Sequence, residues 1–139
     1  MATTCGITMR NTILIAALLA AGAARADSPA DLAAGYTGQA RARTPAFVAA
    51  PSRGERFFRV RHGHDWSCSS CHTDHPAGAG RHAVTGRAIE PLAPAVNSSR
   101  FTRPAKVEKW FRRNCNDVIG RECTAAEKAD VLAWLMTLR

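Results

Sequence analysis

The stretch that decides the fold is residues 65–72, which read Asp65-Trp66-Ser67-Cys68-Ser69-Ser70-Cys71-His72. It contains a complete C-x-x-C-H sequence, the attachment signature for c-type haem. Two thiols three positions apart on one turn reach both vinyl groups of a porphyrin, and the adjacent histidine is placed under the iron. We therefore expect Cys68 and Cys71 to bind one haem c through thioethers and His72 to be the first axial ligand. The other ring nitrogen of His72 is expected to donate to a backbone carbonyl, for which one near Pro91 is a candidate.

Two other kinds of site use the same pair of cysteines. A thioredoxin-like redox site places C-x-x-C in a βαβ unit, and no such pattern surrounds these residues. Zinc takes cysteine and histidine ligands, so Cys68 and Cys71 could combine with two of the nearby histidines. That alternative set draws on His72, His75 and His82. An export signal, the helical patterning and the immediate step from cysteine to histidine favour haem.

The N-terminus reads as an export signal. Arg10 supplies positive charge, residues 13–24 are apolar but short for a bilayer span, and Ala24-Arg25-Ala26 fits a small-x-small cleavage site. We predict that residues 1–26 are a cleaved signal peptide and that residues 27–139 form one cytochrome c-type haem domain. An uncleaved membrane anchor is the alternative. Cleavage predicts a periplasmic protein without stable membrane insertion, in a compartment where disulfides persist.

The balance of charge indicates the kind of partner. The 139 residues hold 19 Lys and Arg against 11 Asp and Glu, a formal net charge of +8. Cleavage after residue 26 removes two of those cations, Arg10 and Arg25, and leaves +6. A positive surface of this size favours acidic protein partners, because opposite charge steers encounters. The sequence shows no dense basic stripe interleaved with aromatics, so nucleic acid is not an expected partner.

Hydrophobic periodicity and capping signals predict an all-α fold, since no alternating strand pattern is present. The predicted helices are a short Ala-rich helix over 31–42, one from a Ser52-to-Glu55 capping box, one over 102–114, and one from a Thr124-to-Glu127 capping box. Residues 76–102 are rich in Pro, Gly and Ser and predict a long loop. Long loops in small domains usually have a function, and wrapping a flat haem is one.

The residues alone leave the second iron ligand open. Met136, the one methionine of the mature chain, lies beside the apolar stripe of the last helix and is typical of core packing. Four histidines lie too near His72 in sequence to reach the opposite haem face easily: His62, His64, His75 and His82. Asn114 ends the predicted third helix, where the ordinary role of asparagine is a C-cap. Asn97 and Asn116 are further candidates.

Four stretches of the chain resemble the sphaeroides haem protein family, a group of monohaem class I-like cytochromes c. They are DWSCSSCH at 65–72, PLAP at 91–94, VEKWFRRNC at 107–115 and GRECT at 120–124. The resemblance covers essentially the whole mature chain. It implies a small class I cytochrome c-like helical fold around one covalent haem.

The resemblance also implies which residues complete the site. In that family the second ligand is an asparagine side chain just before a cysteine, which implies that Asn114 joins His72 as an axial ligand. A disulfide close to the haem is implied between Cys115 and Cys123. An amide is a weak, fairly hard donor that can hold Fe(III) and offers Fe(II) little. We therefore expect reduction to release Asn114 and to open a coordination site.

Two functions are compatible with such a site. The first is electron transfer, for which the resemblance implies a dihaem cytochrome c and a membrane cytochrome b as redox partners. The alternative is a gas-binding or NO-consuming haem protein, because a labile sixth ligand lets reduced haem bind O2, NO or CO. An electron carrier or terminal acceptor, rather than a dedicated enzyme, is the expected role.

Overall fold

The computed structural model describes Met1, residues 28–63 and residues 65–139. The predicted signal peptide, except for Met1, and His64 lie outside these residues. The described residues form five helices and one two-stranded hairpin. In chain order they are α1 (Pro29–Arg41), α2 (Pro51–Arg59), α3 (Ser69–His72), β1 (Gly80–Arg81), β2 (Ala88–Ile89), α4 (Pro104–Ile119) and α5 (Ala125–Leu135).

The last helix, α5, is the centre of the core. Its start agrees with the predicted capping box, since the Thr124 hydroxyl accepts from the Glu127 amide and the Glu127 carboxylate accepts from the Thr124 amide. One side of α5 packs on α1 in the α1–α5 cluster, formed by Ala33, Tyr36, Ala129 and Leu132. The other side packs on α2 in the α2–α5 cluster, formed by Phe58, Val131, Trp134 and Leu135. Burial on both sides makes α5 the most enclosed helix of the fold.

The crossing of α2 over α5 depends on Gly54. A Cβ at this position would overlap the backbone carbonyl of Asp130, so the two helices approach too closely for any side chain. The buried Asp130 carboxylate also accepts from the Ala50 amide at 2.7 Å and from the Arg53 guanidinium at 2.8 and 2.9 Å. The predicted Ser52 capping box is therefore wrong: α2 begins at Pro51 with Ala50 as N-cap.

Two other helices differ from their predicted bounds. Helix α1 starts earlier, because Ser28 and Asp31 form a capping box that the sequence analysis missed. Helix α4 does not end at Asn114 but continues to Ile119 and stops at Gly120, which has a φ of 70°. Glycine tolerates this left-handed conformation, so it is the natural helix terminator.

The long loop contains the hairpin, in which Gly80 pairs with Ile89 and Arg81 with Ala88 in antiparallel register. The predicted absence of strands is thus wrong at one place, whereas the mostly helical fold is confirmed. Strands of two residues are too short to show an alternating pattern. Among the described residues, no helix is both long enough and apolar enough to cross a bilayer.

Candidate functional site

Helix α3 holds the C-x-x-C-H residues on a single turn, with Cys68 as its N-cap. The serines between and before the cysteines fix this turn. The Ser70 hydroxyl accepts from the Ser67 amide at 3.0 Å, and the buried Ser67 hydroxyl lies 2.9 Å from that of Ser69. These bonds hold Cys68 and Cys71 one turn apart, as attachment to two vinyl groups requires.

The hairpin supports this turn from outside. A Cβ at Gly80 would overlap the Cys71 carbonyl, and it would also lie 3.0 Å from the Cα of His72. Only glycine allows β1 to lie so close to the attachment helix. The Ala83 amide in addition donates to the Cys71 sulfur at 3.3 Å. The backbone of the long loop therefore fixes the orientation of Cys71.

The two thiols of the motif are free, whereas the other two cysteines of the described chain are paired. Burial raises the pKa of Cys68 to about 11, so its thiol stays protonated at neutral pH. No group of three or more Cys, His, Asp or Glu among the described residues could hold a metal ion. The alternative zinc site is therefore wrong for the residues that the structure describes.

His72 has the chemical form that iron requires. Burial, with a smaller contribution from the charge of Arg100, lowers its pKa to about 4, so the ring is neutral at physiological pH. Its ring centroid lies 6.0 Å from that of Phe58 in the α2–α5 cluster. The Pro91 carbonyl, which was the candidate acceptor for the second ring nitrogen of His72, accepts hydrogen bonds from other residues. The Pro91 carbonyl accepts from Arg100 at 2.8 Å and from Asn97 at 3.4 Å.

Asn114 lies inside α4, so the C-cap role predicted for it is wrong. It is half-buried, and no hydrogen bond in the described part of the chain involves its side-chain amide. The other candidate asparagines are engaged: Asn97 donates to Pro91 and accepts from Ser99, while Asn116 donates to the Arg112 carbonyl at 2.7 Å. Of these asparagines, only Asn114 keeps its amide without a protein partner.

Apart from His64, which the structure does not describe, the remaining candidate ligands have other contacts or are exposed. Met136 packs against the α1–α5 cluster as core filler. The His62 Nε2 lies 2.9 Å from the Phe57 carbonyl, and the His82 Nδ1 accepts from the amides of residues 84 and 85. His75 is exposed.

The second pair of cysteines lies beside Asn114. Cys115 and Cys123 are at disulfide-bonding distance, with Cα atoms 5.6 Å apart, and both are buried. They join α4 to the segment that precedes α5. The bond closes a short loop directly after Asn114 and so restricts the movement of that part of α4.

The attachment turn and α4 lie on different elements but border the same apolar surface. Cys68 and Phe111 both pack against the α2–α5 cluster. Two large apolar side chains next to the site are exposed, Trp66 to 39% and Trp110 to 45%. Trp66 precedes the first cysteine by two residues, and Trp110 precedes Asn114 by one helical turn.

These residues fit a covalent haem. Two free thiols on one turn suit attachment to two vinyl groups, and a desolvated neutral imidazole and an amide without a protein partner are groups that could ligate iron. The shared apolar surface supplies contacts for a flat macrocycle. The motif named Cys68, Cys71 and His72 as expected site residues, and the family resemblance added Asn114. The structure places Gly80, Phe58 and Arg100 near Cys71 and His72. None of the three carried a sequence signal, because Gly80 lies in a stretch predicted as a loop and the other two come near His72 only through the fold.

Comparison with known proteins agrees with this interpretation. A family model described as a domain of unknown function, DUF1924, matches residues 45–135. The chain is 44% identical over 135 residues to the cytochrome c-type protein SHP of Cereibacter sphaeroides, covering 91% of this chain and 98% of that protein. It is 48% identical over 82 residues to cytochrome c'' of Methylophilus methylotrophus, covering 59% of this chain. That match spans 57% of the length of cytochrome c''.

Solved structures of both relatives share the fold. Oxidized SHP, described as an oxygen-binding cytochrome c, superposes with a TM-score of 0.69 at 46% identity, over 79% of this chain and 96% of that one. A solution structure of cytochrome c'', described as giving insights into haem-ligand detachment, superposes with a TM-score of 0.70 at 39% identity. It covers 78% of this chain and 92% of the other.

Proposed function

Because this chain belongs to the DUF1924 family together with the cytochrome c-type protein SHP and cytochrome c'', whose cofactor is haem c, we propose that it is an exported monohaem electron-transfer cytochrome with a redox-labile sixth ligand. Residues 1–26 are a cleaved signal peptide in this proposal, and residues 27–139 are the haem domain in the periplasm. The bound haem supplies a one-electron Fe(III)/Fe(II) couple and an iron centre that can take small ligands.

Four side chains would hold the cofactor. Cys68 and Cys71 form the two thioethers, and His72 is the permanent axial ligand. Burial keeps the His72 ring unprotonated, so no proton competes for the ligating nitrogen above a pH of about 4. Asn114 is the second axial ligand in the oxidised state. Asn114 lies in the middle of α4 and not at a fraying helix end, so the backbone that carries its amide is held in place.

The observation that carries the proposal is the unbonded amide of Asn114 inside a helix. Asparagine is a poor helix former, because its side chain competes for backbone hydrogen bonds. Asn114 lies in the helix interior and is partly exposed, and among the described residues its amide has no hydrogen-bond partner. Coordination of ferric iron would give the amide a partner.

The same residue explains a redox-linked change. An amide is a weak, hard donor, which ferric iron would hold and ferrous iron would hold much less. Reduction would therefore favour release of Asn114, while Cys68, Cys71 and His72 would keep the haem attached. The solution structure of cytochrome c'' was discussed in terms of haem-ligand detachment, which supports the same behaviour in this chain.

The released position suits small ligands. SHP is described as an oxygen-binding cytochrome c, and the same ligand position in this chain would take O2, NO or CO. An electron carrier works best with unchanged ligands, since ligand exchange adds a reorganisation cost. Gas binding, or NO consumption, is therefore the second candidate function. For electron exchange, the partners are redox proteins, and we propose a dihaem cytochrome c and a membrane cytochrome b.

Substitution of Asn114 tests the proposal, with Asn116 as the matched control on the same helix. Asn114→Val should retain covalent haem, because neither the thioethers nor His72 depends on the amide. Its ferric form should lose the six-coordinate low-spin spectrum and bind azide readily. Asn116→Val should behave like the wild type. An Asn114→Val protein with an unchanged ferric spectrum and no azide binding would show that another residue is the ligand.

A further inference from the structure

Helix α4 presents a strongly basic exposed face. We name it the α4 basic face, and it consists of Arg103, Lys106, Lys109, Arg112 and Arg113. The acidic residues on α4 are Glu108, which pairs with Lys128 at 2.7 Å, and Asp117, which lies 3.9 Å from Arg113. Among the described residues, neither Lys106 nor Lys109 forms an ion pair. This face is not evident along the sequence, because the cations come together on one side only when the helix forms.

The α4 basic face opposes the stability of its own helix. Positive charge near a helix N-terminus is unfavourable, because the macrodipole is positive there. Yet the N-cap of α4 is Arg103 without a side-chain cap, and Lys106 is at the third helical position. Helices α1 and α5 instead have capping boxes with an acidic residue in the first turn. The cations at the start of α4, Arg103 and Lys106, are thus not explained by helix stability.

An aromatic side chain lies within this face. The Trp110 ring is 45% exposed, and the Arg113 guanidinium lies 5.7 Å from its centroid. Tryptophan and arginine are the residues most often found at the energetic centres of protein interfaces. Asn114 follows Trp110 by four residues and therefore lies next to it along the helix.

We propose that the α4 basic face is the docking surface for an acidic patch on a partner protein that exchanges electrons with this chain. The inference rests on the proposed function for the identity of the exchange, but the docking itself requires only charge and shape. The cations steer the encounter, and Trp110 gives it a small apolar contact. Small, charged interfaces of this kind are typical of transient redox complexes.

An acidic protein fits this face better than an anionic lipid surface does. An interfacial membrane helix buries a wide apolar face in the bilayer. The apolar residues of α4, among them Val107, Phe111, Cys115 and Ile119, instead pack against the rest of the chain. Only Trp110 remains for an outside contact.

The experiment measures binding of poly-L-glutamate to the haem-loaded oxidised protein by NMR, through the indole N–H signal of Trp110. The test variant is Lys106→Glu with Lys109→Glu. The matched control is Arg43→Glu with Arg87→Glu, which changes two exposed cations outside α4 by the same net charge. Glutamate near the start of α4 favours the helix, so the test variant should fold.

We expect the Trp110 signal to move in the wild type and in the control, and the affinity of the test variant to fall about tenfold at low salt. Equal losses in both variants would mean that net charge alone drives binding, and would overturn the proposal. So would an unmoved Trp110 signal. Tighter binding of the wild type to phosphatidylglycerol vesicles than to the polymer, lost in the test variant, would assign the face to lipid instead. The docking test reads the Trp110 signal and not the haem spectrum. A failure of the docking proposal can therefore be told apart from a failure of the Asn114 prediction, which is read from the haem spectrum and azide binding.

Discussion

Helices α4 and α5 are neighbours joined through the Cys115–Cys123 pair, yet their sequences serve different ends. Helix α5 begins with a complete capping box and buries residues on both sides, with Leu132 fully enclosed. Helix α4 begins at an uncapped arginine, exposes a basic face and holds an unbonded asparagine in its interior. Helix α5 therefore holds the fold together, whereas α4 departs from the rules of helix stability at Arg103 and Asn114, the regions on which our two proposals depend.

The largest effect on stability should come from the core of α5. Leu132→Ala removes a fully buried side chain shared by the α1–α5 cluster, and we expect the free energy of unfolding to fall by about 2–5 kcal/mol. Lys109→Ala on α4 is the control and should change it by less than about 0.5 kcal/mol. Urea unfolding followed by circular dichroism measures both. Similar values for the two variants would remove the distinction between the helices.

The disulfide should have the next largest effect. Replacing both Cys115 and Cys123 by serine opens the loop between α4 and α5, and we expect a loss of about 2–3 kcal/mol. Covalent haem should remain, since the thioethers use other cysteines. The same urea titration gives the change, and thiol labelling of the unreduced, unfolded wild type checks that the bond forms. Two labelled thiols from this pair would show that it is absent in the exported protein.

The smallest effects should have opposite signs at the two helix starts. Thr124→Ala removes the N-cap of α5 and should cost about 1 kcal/mol. Arg103→Asp gives α4 the cap that it lacks and should stabilise by about 0.5–1 kcal/mol. Thermal unfolding of the two variants side by side provides the measurement. A destabilising Arg103→Asp would mean that the arginine supports the fold and that α4 is not an exception.

Local signals predicted the parts of the fold that local interactions decide. The Thr124 capping box gave the start of α5, because the two hydrogen bonds involved lie within four residues. The turn that carries Cys68 and Cys71 could also be predicted, because attachment to two vinyl groups fixes the spacing of the two cysteines. The mostly helical fold follows from the same kind of short-range pattern.

Tertiary contacts decided what the sequence analysis missed. The Ser52 capping box failed because Gly54 and Asp130 set the start of α2 through the close crossing with α5. Helix α4 runs past Asn114 through weak helix formers, since burial of Cys115 and Ile119 stabilises its last turns.

The candidate site shows the same division. Cys68, Cys71 and His72 could be predicted from the motif alone. Asn114 could not be predicted in this way. Its place at the end of the predicted helix indicated an ordinary C-cap role, and only the family resemblance implied an iron ligand. The structure changes that balance, since it removes the C-cap role and leaves the amide without a partner.

The most direct test of the account is the optical spectrum of the dithionite-reduced wild-type protein before and after addition of CO. Release of Asn114 on reduction predicts a mainly five-coordinate, high-spin ferrous haem that binds CO rapidly, while the ferric protein is six-coordinate and low-spin. A ferrous spectrum that stays six-coordinate and low-spin and resists CO would contradict the account. That result would mean that a strong ligand such as Met136 or a second histidine, and not Asn114, completes the site.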